Sequence, residues 1–98
     1  AVFKLTADIA DFYRIDAGRI AVGKRADIVV IDPTKLDDSV EQLHEAEMPE
    51  FNGLRRLVRR NDATVKAVLV NGVRVWDEAG EAAGLGTETG RGSVLSPV

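Results

Sequence analysis

The pair Asn71-Gly72, placed between two valine-rich runs, constrains the fold of this chain more than any other feature. A two-residue type I′ turn needs positive φ at both central positions, and Asn-Gly meets that need best. The sequence therefore predicts a β-hairpin over residues 65–76. The predicted cross-strand pairs are Val70 with Val73, Val68 with Val75, and Ala67 with Trp76. This register places all four of those valines on one apolar face.

Other strands are predicted on both sides of this hairpin. The β-branched run Ile28–Ile31 predicts a strand that stops before Pro33, because proline cannot donate to a β-ladder. The run does not alternate with polar residues, so we expect both of its faces to be covered. A short strand over Ile20 to Val22, with a Gly23-Lys24 turn, is predicted before it, and a last one around Val94-Leu95.

The first residues differ from the rest, because their apolar side chains recur at helical spacing. Those side chains are Val2, Phe3, Leu5, Ile9, Ala10, Phe12 and Tyr13. Thr6 is placed to cap a short helix with Asp8 in its first turn, and Gly18 to end the helical region. Residues 1–18 are thus expected to be helical and residues 19–98 to form a β domain with a Gly-rich tail. The predicted fold class is mainly β (α+β) with a short N-terminal helix.

Composition limits the functions that are available to this chain. Ninety-eight residues form at most one domain. The 13 basic and 16 acidic residues give a net charge of −3, which excludes a surface built throughout to attract phosphates. The absence of cysteine excludes disulfides and thiolate-bound metals. The longest apolar runs are also far shorter than a membrane span.

No motif in the chain predicts a catalytic, cofactor-binding or metal-ligating residue. The single histidine, His44, lies in the polar stretch 34–53, which we expect to be an exposed excursion between strands. An acidic group within this stretch lacks the spacing of a calcium-binding loop. Its members are Asp37, Asp38, Glu41, Glu45 and Glu47. The Gly-rich segment 84–93 lacks the Gly-Lys-Ser/Thr ending of a phosphate-binding loop.

One charge cluster is open to two interpretations. It consists of Arg55, Arg56, Arg59 and Arg60. As a contact patch, it would bind a protein or a nucleic acid, but only Phe51 lies nearby to stack on bases. The favoured interpretation is that these arginines flank a strand around Leu57-Val58 and pair with the acidic excursion.

Three segments, in their order and spacing, resemble the C-terminal segment of the amidohydrolase superfamily. They are Leu5 to Ala10, the run from Ile15 through Gly23-Lys24-Arg25-Ala26-Asp27 to Pro33, and the hairpin with Val70-Asn71-Gly72. Gly23 would permit a tight turn, and we expect Asp27 to accept hydrogen bonds from that turn's amides. Within the superfamily the chain is most similar to the N-acyl-D-amino-acid deacylases (D-aminoacylases). This similarity lies in Pro49 to Gly53, Arg56-Leu57-Val58 and Gly90 to Leu95.

The resemblance implies that the chain is the C-terminal part of a metal-dependent hydrolase, a small β-sandwich-like composite domain without its catalytic barrel. Residues 1–18 would then lead out of that barrel. The parent would hydrolyse an amide, such as an N-acyl-D-amino acid, using zinc or another divalent metal held upstream, so the chain alone is predicted to be inactive. The chain would bind the missing barrel and strands of its parent, and we expect it to self-associate. We expect no membrane or nucleic-acid partner, and a location in the cytoplasm. The alternative is an independent binding module that uses Arg55–Arg60.

Overall fold

A computed structural model describes residues 1–59 and 63–98, and it is built mostly from short antiparallel strands. The helices are α1 (Val2–Leu5) and α2 (Ala7–Tyr13). The strands are β1 (Ile28–Ile31), β2 (His44–Met48), β3 (Leu54–Val58), β4 (Val65–Val70), β5 (Val73–Asp77) and β6 (Gly80–Glu81). Single turns of 3-10 helix lie at Pro33–Lys35, Asp38–Glu41 and Pro49–Phe51. The mainly β prediction is confirmed.

The strands form two sheets. Four of them pair in the order β1-β4-β5-β6, and β2 pairs with β3 in a separate two-stranded sheet. In the described part of the chain, strands contact chiefly the strands to which they are hydrogen bonded. The buried apolar residues there are Ala7, Ala10, Met48 and Val75. Each sheet therefore keeps much of its apolar surface uncovered.

The central hairpin confirms the predicted turn and corrects the predicted register. Asn71 and Gly72 both have positive φ, 50° and 80°, and Val70 pairs with Val73. The predicted pairing of Val68 with Val75 is wrong, and so is that of Ala67 with Trp76. Val68 pairs with Trp76, and Ala67 with Asp77, because a β-bulge inserts one residue into β5. The bulge buries Val75 and moves Trp76 onto the face of Val68.

Strand β1 forms where the sequence predicts it, but its faces are not covered. Val29, Val30 and Ile31 are 45–57% exposed, because β1 is an edge strand that no described element covers. The short strand predicted over Ile20 to Val22 is absent, since no described strand lies beside those residues to complete a ladder. The strand predicted around Val94-Leu95 is likewise absent from the described structure.

The helical region ends earlier than predicted. Thr6 precedes α2 as expected, but its hydroxyl donates to the carbonyl of Val2 (2.7 Å) instead of capping the helix. α2 stops at Tyr13, because Arg14 adopts the left-handed conformation (φ 55°). Gly18, which was predicted to end the helical region, has positive φ (77°) and lies in the loop that follows.

Candidate functional site

The two most specific sequence motifs of this chain contact each other. The backbone N–H of Asn71 donates to Oδ1 of Asp27 at 2.7 Å, and the N–H of Gly72 donates to the carbonyl of Ala26 at 2.9 Å. We call these two bonds the turn clasp. The expectation that Asp27 serves the Gly23 turn is wrong, because its carboxylate instead holds the hairpin turn beside β1.

The turn clasp stabilises the local structure. A carboxylate that accepts from a backbone N–H makes a charge-assisted bond, which is stronger than a neutral one. The guanidinium Nε of Arg25 lies 4.0 Å from the other carboxylate oxygen of Asp27 and supports its charge. The clasp therefore fixes the loop before β1 onto the tip of the β4–β5 hairpin.

An open cleft of about 600 Å³ lies between the end of α2 and the loop that follows. Its lining is Ala10, Asp11, Arg14, Ile15, Asp16, Arg19, Lys24 and Val98. The guanidinium of Arg19 donates two hydrogen bonds, of 2.6 and 2.7 Å, to the carboxylate of Asp11. The ammonium of Lys24 donates to Oδ1 of Asp16 at 2.7 Å. The N–H of Val98 donates to the carbonyl of Arg14 (2.7 Å), which brings the tail back to the helix.

Most of the charged side chains that line this cleft form ion pairs with each other. The hydrogen bond from Arg19 holds the pKa of Asp11 below its usual range, and the bond from Lys24 does the same for Asp16. Both carboxylates therefore stay ionised at neutral pH and have no proton to give as a general acid. The geometry is that of two exposed ion pairs that fix the loop after α2.

A broad apolar surface covers the two helices and the following loop. Its large side chains are Val2, Phe3, Leu5, Ile9, Phe12, Tyr13, Ile20 and Val22, all of them exposed. Phe12 is 80% exposed, whereas only the small Ala7 and Ala10 face inward. Large apolar side chains left exposed in this number within 21 residues are typical of surfaces that pack against another body. This apolar helix surface is the strongest candidate for a functional site in the chain.

His44 and the acidic residues are spread over separate local structures. His44 is exposed in β2, opposite Val58, rather than in an irregular excursion. Asp37 accepts from the N–H of Ser39 at the start of a 3-10 turn. Within residues 1–59 and 63–98, no three metal-ligating side chains lie together. The residues of this part of the chain therefore do not fit a hydrolytic metal centre.

The structure places the described arginines of the cluster on and after β3. Arg55 binds Glu45 on the neighbouring strand (Nη2–Oε2 3.2 Å), so pairing with the acidic stretch is confirmed for this residue. Arg55 and Arg56 lie within the strand rather than beside it, and Arg59 is exposed just after it. Arg60 lies outside the described residues.

The sequence predicted neither strand β2 nor the exposure of the apolar side chains on the helices. The residues of β2, His-Glu-Ala-Glu-Met, carry no β-branched or aromatic side chain, so no local signal predicts a strand. The helical spacing of the apolar residues identified the helix, but spacing does not reveal what lies on the other side of an apolar face.

Comparison with known proteins identifies the family. Residues 1–75 match the model described as Amidohydrolase family, which covers more than half of the chain. The chain belongs to the amidohydrolase family.

Its curated relatives are much longer than this chain. Uncharacterized proteins of Mycobacterium bovis and of two Mycobacterium tuberculosis strains are 51% identical over 76 residues. The matched region is 78% of this chain and 12% of each relative. The chain thus spans a small part of the length of these relatives. No solved structure matches it significantly.

In the described part of the chain, neither helix has the length and apolar character needed to cross a bilayer.

Proposed function

We propose that this chain is the non-catalytic C-terminal portion of a larger amidohydrolase, and that it packs against the rest of that protein. The observation that carries this proposal is the apolar helix surface, on which aromatic side chains such as Phe12 and Tyr13 are exposed to solvent. Exposed apolar area is costly and stabilises a complex once it is covered. The small share of each relative that the chain spans supports the same proposal.

We further propose that the whole protein hydrolyses an amide bond in the cytoplasm, with an N-acyl-D-amino acid as the substrate class. Family membership supports hydrolysis, and the similarity of Pro49 to Gly53 to the deacylases supports the substrate. Zinc or another divalent ion would be held by residues outside this chain, because a hydrolytic zinc usually takes three protein ligands. This chain has one histidine and no cysteine.

The first test is the reading frame that precedes the Ala1 codon. We expect it to encode a barrel with an HxH metal motif, and a start codon near Ala1 would contradict the proposal. The second test compares the purified chain with the longer product. The longer protein should bind zinc in equilibrium dialysis and release amine from N-acyl-D-amino acids, whereas the chain should do neither. One tight zinc per chain, lost in His44→Ala, would contradict the non-catalytic assignment.

The alternative, a binding module that acts through the arginine cluster, has less support. Arg55 is already paired with Glu45, and the exposed Phe51 is the only aromatic residue nearby in sequence. A binding module would retain affinity for an acidic peptide or an oligonucleotide in the isolated chain and lose it in Arg56→Ala.

A further inference from the structure

The chain contains the dipeptide Asn-Gly twice, in nearly the same backbone conformation. Asn52-Gly53 closes the β2–β3 hairpin, and Asn71-Gly72 closes the β4–β5 hairpin. The φ angles are 56° and 77° in the first pair and 50° and 80° in the second. The loops differ, because Asn52-Gly53 ends a five-residue loop between Met48 and Leu54, whereas Asn71-Gly72 is the whole loop between Val70 and Val73. A difference in reactivity would therefore come from each loop and its surroundings rather than from φ.

Asn-Gly is the dipeptide most prone to cyclise, because glycine has no side chain to shield its nitrogen. The glycine nitrogen attacks the side-chain carbonyl carbon of asparagine and forms a new C–N bond. The bond from that carbon to the amide nitrogen breaks, and ammonia leaves with the proton from the glycine N–H. Water then opens the resulting succinimide at either carbonyl, which gives aspartate or isoaspartate.

In both turns the attacking N–H is engaged in the folded state. The N–H of Gly53 donates to the carbonyl of Met48 (3.1 Å), within its own hairpin. The N–H of Gly72 donates to Ala26, and the neighbouring N–H of Asn71 is held by Asp27. Releasing Gly72 therefore requires the turn clasp to open, whereas releasing Gly53 requires only its own hairpin to open.

The β2–β3 hairpin is the weaker of the two. It is a two-stranded sheet, and such a unit is marginally stable in water unless something else packs on it. Its side chains Phe51, Leu54 and Leu57 are all more than half exposed. By contrast, β4 lies between two neighbouring strands. Local opening is favoured where few apolar contacts hold an element, so the tip of β2–β3 opens more often.

We propose that Asn52 is a deamidation site of the folded protein and that the turn clasp protects Asn71. The modification adds a negative charge to the turn, where the carboxylate of Glu47 already lies. A Cβ placed on Gly53 would come within 2.7 Å of Oε1 of Glu47. Isoaspartate also lengthens the backbone by one carbon at Asn52, directly before the Gly53 N–H whose bond to the carbonyl of Met48 closes this five-residue loop. Deamidation thus loosens the β2–β3 hairpin selectively.

The test is incubation of the folded chain at mildly alkaline pH, with peptide mapping by mass spectrometry. We expect Asn52 to convert about tenfold faster than Asn71, which corresponds to an opening difference of about 1.4 kcal/mol. In urea the two sites should convert at comparable rates, because each is then an unfolded Asn-Gly. Equal rates in the folded chain, or faster conversion of Asn71, would overturn the proposal.

Asp27→Ala tests the protective role of the clasp. It removes a charged acceptor, so conversion of Asn71 should rise about tenfold while that of Asn52 stays unchanged. A rise at both sites would mean that the variant unfolds, and Asp27→Asn then decides, because it keeps a neutral acceptor in place. With Asp27→Asn, Asn71 alone should convert faster than in the parent chain, and an unchanged rate would overturn the protection.

Discussion

Asp27 and Asn71 stand 44 positions apart in the sequence, yet one hydrogen bond joins them. That bond connects the Gly-x-x-Ala-Asp loop to the Asn-Gly turn. The loop supplies the acceptors, and the turn exposes the donors by holding two residues at positive φ. At the scale of single residues, the two most specific motifs of this chain thus hold two loops together.

Two glycines with positive φ should respond differently to the same substitution. A Cβ on Gly72 would meet only Ala26 Cβ at 3.9 Å, so Gly72→Ala costs the left-handed strain, about 1–2 kcal/mol. A Cβ on Gly18 would lie 2.7 Å from the backbone of Thr6, so Gly18→Ala adds a clash to the same strain. Urea unfolding should show the larger loss for Gly18→Ala. Equal losses would show that Thr6 moves aside without cost.

The ion pair of Asp11 with Arg19 predicts a pH dependence. The hydrogen bond from Arg19 lowers the pKa of Asp11 in the folded state, so its stabilising contribution is present above the usual Asp pKa of about 3.9. The contribution is lost as the pH falls through the lowered value. Carboxyl NMR titration should show this pKa return toward its usual range in Arg19→Gln, with Asp16 as the internal control. An unchanged pKa for Asp11 would contradict the assignment.

Among the elements, the two hairpins should differ in local stability. The amides of β4 lie inside a four-stranded sheet, whereas those of β2 belong to a two-stranded one. Native-state hydrogen exchange should therefore be slow over Val65–Val70 and fast over His44–Met48. Comparable protection of β2 in the isolated chain would mean that another part of the molecule stabilises it.

Those elements that local chemistry specifies were predictable from the sequence. The Asn71-Gly72 turn and the strand Ile28–Ile31 form as expected, because turn geometry and β-branching act over a few residues. The bulge at Val75 was not predictable, since turn geometry and β-branching, which act over a few residues, do not distinguish it from regular pairing. Strand β2 was not predictable either, because its pairing with Leu54–Val58 specifies it and its own composition does not.

The candidate site was predictable only as a pattern. The spacing of Phe3, Ile9 and Phe12 indicates an apolar helix face, and apolar faces in a complete domain are buried. In this chain those side chains are exposed, because no described element packs over them. The interpretation of His44 as a surface residue rests on its isolation in the sequence, and the structure does place it at the surface.

For the molecule as a whole, the exposed apolar surface predicts self-association of the isolated chain. The outer edge of β1 is not paired with any described strand, and no described element covers the apolar helix surface, so a second copy would cover both. Sedimentation equilibrium over a wide concentration range should show dimers or larger species. Phe12→Asp should shift the equilibrium toward monomer, whereas His44→Asp, on the exposed β2, should not. A monomer at every concentration would contradict this prediction.

The connection between β1 and β4 has a consequence for how relatives of this chain diverge. These neighbouring strands are closed at their base by the N–H of Asp32, which donates to the carbonyl of Thr64 (2.8 Å). The hydroxyl of Thr64, in turn, donates to the carbonyl of Lys35 (3.0 Å). The entropic cost of closing a loop grows only slowly with its length. We therefore expect relatives to tolerate insertions and deletions between these closing residues, with β1 and β4 keeping their register in the four-stranded sheet.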